Sequence, residues 1–191
     1  MAAKKKNVRK ASKKKASRSR SRSRSAPRRA SAAQARRPDV LALLREDHER
    51  VQGLFDRFEN TRGNDRKSKL AEQVCMELQI HACVEEELFY PAVREATGDE
   101  DLVNEATVEH QSAKDLIAKI QAMSADDEMF DATVKVLGEY VKHHVKEEQN
   151  EMFPKARKSG IDLKELGERV RDRKEALMSG SPLGKLRRML M

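Results

Sequence analysis

The stretch "HHVKEEQNEMFP" (residues 143–154) puts two adjacent histidines, two adjacent glutamates, an aromatic and a proline on one short segment. An earlier stretch, "HACVEEELFYP" (residues 81–91), aligns with residues 144–154 at an offset of 63; each has His ten residues before Pro and Glu six before it. "EDH" at 46–48 and "VEH" at 108–110 align at an offset of 62. The chain therefore holds two copies of one helix pair: an acidic residue and His, then His-x-x-x-Glu. The repeat sets the register of the opening stretch, matching His144 and Glu148 to His81 and Glu85. The register His143 with Glu147 has the same spacing, but it leaves the apolar stripe through Val141 and breaks the repeat. His143 is read as a bystander.

Outward from these motifs the pattern is helical. Pro38-Asp39 is a helix-start signal, and Leu41, Leu44, Val51, Phe55 and Phe58 follow at helical spacing. "TRGND" breaks this helix. A second, from about Asp65 to Ala96, carries Val74, Leu78 and Leu88 on one stripe. After "TGDED", where Asp99 can cap, a third carries Val103, Ala106, Ala113, Ile117 and Ile120. After "MSADD" a fourth carries Phe130, Val134, Leu137 and Val141 and ends near Arg157. Strand-like alternation is absent, and short connections make successive helices antiparallel neighbours. The expected fold is all-α: an up-down-up-down four-helix bundle over 38–158. A shorter amphipathic segment follows as a C-terminal helical appendage (159–191).

Each apolar stripe is interrupted by a histidine: His48, His81, His110 and His144. Two helices add a glutamate four residues on, Glu85 and Glu148, and residues at i and i+4 share a helix face. Burying two carboxylates and four imidazoles without partners is very costly. Six such residues converging from four helices call for a common cation, and the pseudo-two-fold repeat suits two metals bridged by two carboxylates. Imidazole with carboxylate, and no thiolate, suits iron or manganese better than structural zinc.

Charge divides the chain. Residues 1–38 contain 16 of the 40 Lys and Arg and none of the 32 Asp and Glu, so the remainder is net acidic although the whole is +8. Residues 1–37 include "SRSRSRSRS" and almost nothing apolar, which predicts a disordered basic tail. Such a tail can bind polyanions by counterion release, and without interleaved aromatics any nucleic-acid binding is sequence-blind. Cys75 and Cys83, eight residues apart on one helix, lie roughly 12 Å apart, beyond the ~7 Å a disulfide spans; free thiols fit a reducing compartment. No apolar run is long enough to span a membrane, and no secretory h-region is present. The expected location is cytoplasmic.

The quoted motifs resemble the hemerythrin family in its HHE cation-binding branch, over roughly residues 39–157. The resemblance implies a non-haem di-iron site, oxo- or hydroxo-bridged, that binds oxygen or related small molecules such as nitric oxide or peroxide. It would assign His48 and His81 to one iron, His110 and His144 to the other, and Glu85 and Glu148 to the bridge. One position departs: the oxygen carriers of the family have a second histidine four residues after the one on the third helix, and here that residue is Lys114. A lost imidazole opens a coordination position and favours sensing, peroxide, nitric oxide or redox chemistry over reversible carriage. Three functions follow as alternatives: a di-iron protein that responds to oxygen or its relatives, a peroxidase- or oxidase-like enzyme at the same site, and a helical scaffold tethered to nucleic acid by its tail.

Overall fold

A computed structural model describes residues 38–180; the expected disordered tail at 1–37 and the chain end, 181–191, lie outside the described residues. The described residues are helical, with no strand among them. Helix α1 (Val40–Glu59) starts where Asp39 accepts a hydrogen bond from the Ala42 N–H at 2.9 Å, satisfying one of the orphan donors of a helix N-terminus. Helix α2 (Asn64–Val84) runs through a π-turn, Glu85–Phe89, into α3 (Tyr90–Thr97), which ends at Gly98 in the left-handed region, φ 66°. Asp99 caps α4 (Glu100–Ala122) through the Leu102 N–H at 3.3 Å. Helix α5 (Phe130–Glu147) passes through a second π-turn, Glu148–Met152, into α6 (Phe153–Lys158), and α7 (Leu163–Gly180) closes the fold. The α2–α3 and α5–α6 rods, with α1 and α4, make the four-helix bundle.

The apolar stripes meet in two clusters, one on each side of a polar layer. Val51, Leu54, Phe55, Phe58, Val74, Leu78, Ile117, Phe130 and Leu137 form one. Leu41, Leu44, Val84, Phe89, Val93, Val103, Met152 and Phe153 form the other. Leu88, Ala113 and Val141, placed on the stripes by spacing, are only half-buried at the stripe edges.

The segment expected as an appendage is part of the core. Leu166 and Val170 of α7 are buried in the second cluster. A Cβ at Gly167 would meet the Val40 backbone nitrogen at 2.9 Å, so glycine is what lets α7 lie directly against the start of α1. Spacing alone could not show this, because a short amphipathic helix reads the same whether it docks or floats. Cys75 is buried, Cys83 half-buried, and both are free thiols.

Candidate metal centre

The two π-turns position the centre. Each begins at a glutamate of the repeat: the Tyr90 N–H bonds to the Glu85 carbonyl, and the Phe153 N–H to the Glu148 carbonyl, each five residues back. Pro91 and Pro154 follow at once and sit in the first turn of the next helix. A proline there removes a donor and crowds the carbonyl four residues back. Widening the preceding turn relieves that crowding without breaking the rod. The periodicity that predicted continuous helices to Ala96 and Arg157 carries no sign of the extra residue.

All six residues of the sequence-derived set meet in the polar layer, each buried: His48, His81, Glu85, His110, His144 and Glu148. Their donor atoms form two overlapping groups, His48–His81–Glu85–Glu148 and Glu85–His110–His144. His48 Nε2 lies 3.0 Å from His81 Nε2, and His110 Nε2 3.2 Å from His144 Nε2. Glu85 Oε2 reaches both pairs, 3.1 Å from His81 Nε2 and 3.3 Å from His110 Nε2. Glu148 Oε2 stands 3.3 Å from His48 Nε2. His143 is outside the layer, with its side chain 64% exposed.

The opposite edge of every imidazole is held. Asp47 Oδ2 lies 3.4 Å from His81 Nδ1, Glu86 Oε1 3.0 Å from His110 Nδ1, and Glu109 Oε2 2.8 Å from His144 Nδ1. The Gln149 amide lies 2.9 Å from His48 Nδ1. A carboxylate on Nδ1 fixes the tautomer with its proton there and leaves the Nε2 lone pair facing inward, as metal-ligating histidines require. These partners also follow the repeat: Asp47 corresponds to Glu109, and Glu86 to Gln149. The charges are anchored further out. Asp47 is paired with Arg50 at 2.9 Å and with Lys174 of α7, while Lys114 Nζ sits 2.6 and 2.7 Å from the two Glu86 oxygens.

The electrostatics show what the layer lacks on its own. Among the described residues no oxygen of Glu85 or Glu148 makes a well-formed hydrogen bond, although both carboxylates are buried; the imidazole nitrogens near them lie in ion-pair range. Burial and the facing Glu148 carboxylate push the Glu85 carboxyl well above the usual range. Burial also works against the Glu148 anion, yet the imidazoles of His48, His144 and His81 outweigh it and hold its pKa at about 2. Burial and the neighbouring His144 lower His110 to about 4, keeping it a neutral donor. Unpaired buried charge costs several kcal/mol per ion. Donor atoms at right angles about 2.1 Å from a shared cation would lie about 3.0 Å apart, close to the separations seen here. The residues present therefore fit a metal cation, and their donor atoms form two overlapping groups.

Over residues 39–156 the chain matches the hemerythrin HHE cation binding domain. The protein belongs to the hemerythrin HHE cation-binding family. A solved HHE cation binding domain-containing protein from Mycobacterium kansasii superposes with a TM-score of 0.68 at 27% identity, covering 78% of this chain and 93% of that one. A DNA nickase from Nostoc sp. is 30% identical over 115 residues, 60% of this chain and 32% of the nickase. An uncharacterized hemerythrin-like protein of Schizosaccharomyces pombe is 26% identical over 110 residues, 56% of this chain and 54% of that protein. The chain thus spans about a third and about half of these two relatives. As an HHE domain, it is a metal-cation-binding bundle.

Within this HHE domain the structure adds residues that sequence reasoning passed over. Tyr90 is buried with its hydroxyl 3.1 Å from His110 Nε2 and 3.5 Å from His144 Nε2. Its counterpart in the repeat is Phe153, whose ring stacks on His48 with centroids 6.0 Å apart. The repeat itself, aligned residue by residue, would have flagged Tyr90 against Phe153 and Glu86 against Gln149. No signal in the sequence points to Lys174.

Proposed function

We propose that the six-residue layer holds two iron ions and that the protein binds or responds there to dioxygen, nitric oxide or peroxide. The observation that supports this most is the pair of buried carboxylates without hydrogen bonds, ringed by four imidazoles whose outer nitrogens are held. Iron in such a nitrogen and oxygen environment supplies redox chemistry and open positions for small ligands. The chain's own residues do the rest. Asp47, Glu86, Glu109 and Gln149 orient the imidazoles. Glu85 spans both histidine pairs. Tyr90 offers a phenolic proton at one pair only.

A small ligand also has a route. A pocket lined by Val51, Leu78, Ala113, Ile117 and Val141 reaches all four histidines, with Lys114 and Tyr140 among its lining. An apolar approach favours a small uncharged ligand over hydrated ions. Lys114, at the position where carriers have a histidine, is bound to Glu86 and so acts on His110 through it. This favours a responsive or redox role over reversible carriage.

The test is metal analysis and an optical spectrum of protein purified without added metal, followed by exposure to dioxygen, nitric oxide and peroxide. Two irons per chain and a ligand-dependent spectrum are expected; zinc or no bound metal would rule the reading out. Sustained peroxide turnover would move the function to the peroxidase-like alternative. A second reading concerns residues 1–37. Their charge, and the likeness to a nickase that acts on DNA by name, support a sequence-blind nucleic-acid tether for the bundle. Removal of 1–37 should weaken DNA binding and its salt dependence; unchanged affinity would exclude the tether.

A further inference from the structure

The polar layer has two flanks that the repeat makes equivalent, and they differ sharply. On the α1/α2 side the outward positions are Leu43, Ile80, Val84 and Leu88. Val84 and Leu88 pack with Leu166 and Val170, so α7 seals this flank, and Lys174 of α7 neutralises Asp47. On the α4/α5 side the corresponding residues are Glu105, His143, Glu147 and Glu151. No helix among the described residues plays the part of α7 there. A pocket opens instead, lined by Glu105, Glu109, Glu147 and Glu151, with His144 and Glu148 of the buried layer also in its wall.

Two observations make this more than a group of surface acids. Glu148 is 2% exposed, has no hydrogen-bond partner on either oxygen among the described residues, and lines the pocket from within. His143, Glu109 and Glu147 also bring one donor atom each within 4.8 Å of one another. His143 Nε2 is 3.1 Å from Glu147 Oε1 and 3.8 Å from Glu109 Oε1. The other oxygen of Glu109, Oε2, holds His144 Nδ1 at 2.8 Å. One carboxylate therefore belongs to the outer cluster and touches a ligand of the inner one. Among the described residues no Lys or Arg lines the pocket, and the nearby Lys155 is engaged by Asp99 at 2.6 Å.

We propose that this groove is a divalent-cation entry site. Glu109, His143 and Glu147 take a hydrated divalent transition-metal ion at the surface, and the carboxylates beside them guide it to Glu148 and the buried layer. The inference rests on the metal-centre reading above and adds the route by which the centre fills. His143, a bystander to the inner layer, acquires a role as an outer ligand. The carboxylates Glu105 and Glu151 concentrate cations at the mouth, where a cleft lined by one sign of charge raises association rates.

The test is stopped-flow loading of the full-length metal-free chain with Co(II) alone, followed by visible absorption. The groove variant is Glu105→Gln/Glu147→Gln/Glu151→Gln, with His143→Ala made separately. Glu72→Gln/Glu95→Gln/Glu139→Gln removes the same charge from exposed positions outside the groove. The groove variant should load at least about tenfold more slowly at low ionic strength. That deficit should shrink at high salt, with the same final two ions in the buried layer once exchangeable metal is removed. The control should load at about the wild-type rate. In the fully loaded protein, Mn(II) titration followed by electron paramagnetic resonance should show one further exchangeable ion, lost in His143→Ala. Equal loading rates in groove variant and wild type, or equal slowing in the control, would overturn the entry site alone. A wild-type protein that takes up no ion in the buried layer would overturn the centre, and the entry site with it.

Discussion

The His48/His81 half and the His110/His144 half are built from the same residues at their centres and from different ones around them. Inside, imidazole matches imidazole and Glu85 matches Glu148. One step out, Asp47 matches Glu109, but Glu86 corresponds to Gln149 and Tyr90 to Phe153. Two steps out the likeness ends: one flank is apolar and covered by α7, the other acidic and open. The difference teaches where the constraint lies. A cation shared by several donors fixes their type and position, whereas an outer Nδ1 needs only some hydrogen-bond partner, and an outer surface needs only to be dry or wet.

The largest effect should come from removing what the two halves share. Glu85→Met/Glu148→Met should abolish metal binding, while Glu85→Met alone should leave the metal-free protein more stable than its parent by about 1–4 kcal/mol, because a buried carboxyl without a hydrogen bond is replaced by apolar volume. Metal content and urea unfolding check both parts; a less stable metal-free Glu85→Met protein would mean that carboxyl carries the fold. Next, Leu166→Ala, on the covered flank, should cost about 2–5 kcal/mol in the same unfolding experiment. Val108→Ala, exposed on α4, should cost within about 0.5 kcal/mol. Equal losses would deny α7 its place in the core.

Lys174→Met should loosen Asp47 and, through it, His81, lowering metal affinity by about 10–100-fold in competition titrations. An unchanged affinity would leave the Lys174–Asp47 pair a mere surface tie. In the other half, Glu109→Gln should lower the His144 pKa in the metal-free protein. His144 is held above its ordinary value because the Glu109 and Glu148 carboxylates outweigh burial, which acts the other way. A carboxylate stabilises the imidazolium and an amide does not, so the imidazole should lose its proton at lower pH; an NMR titration reads the midpoint. Smallest, Tyr90→Phe should remove one difference between the halves, the hydroxyl beside His110. It should shift the optical spectrum of the iron-loaded protein with little change in metal count.

Much of this was legible in the sequence for one reason: the buried layer interrupts apolar stripes, and polar residues in a stripe are conspicuous. His48 between Leu44 and Val51 is such a case, as is Glu85 four residues after His81. The caps at Asp39 and Asp99 were legible because capping chemistry is local. The π-turns were not: one extra residue turns the stripe by about 100°, but the helices that follow, Tyr90–Thr97 and Phe153–Lys158, are too short to reveal the new phase. Lys174 could not be linked to Asp47, 127 positions away, because that pairing depends on where α7 docks, and docking is a property of the assembled surface. Asp47 and Glu109 stand in the sequence as acids beside histidines, but each serves the histidine of the neighbouring helix, not its own.

The most direct test of a duplicated two-metal centre is the metal content of His144→Ala beside that of His143→Ala, each purified without added metal. The account predicts two ions per chain for His143→Ala, as in the wild type, and a loss of at least one for His144→Ala. Full occupancy in His144→Ala with loss in His143→Ala would contradict it.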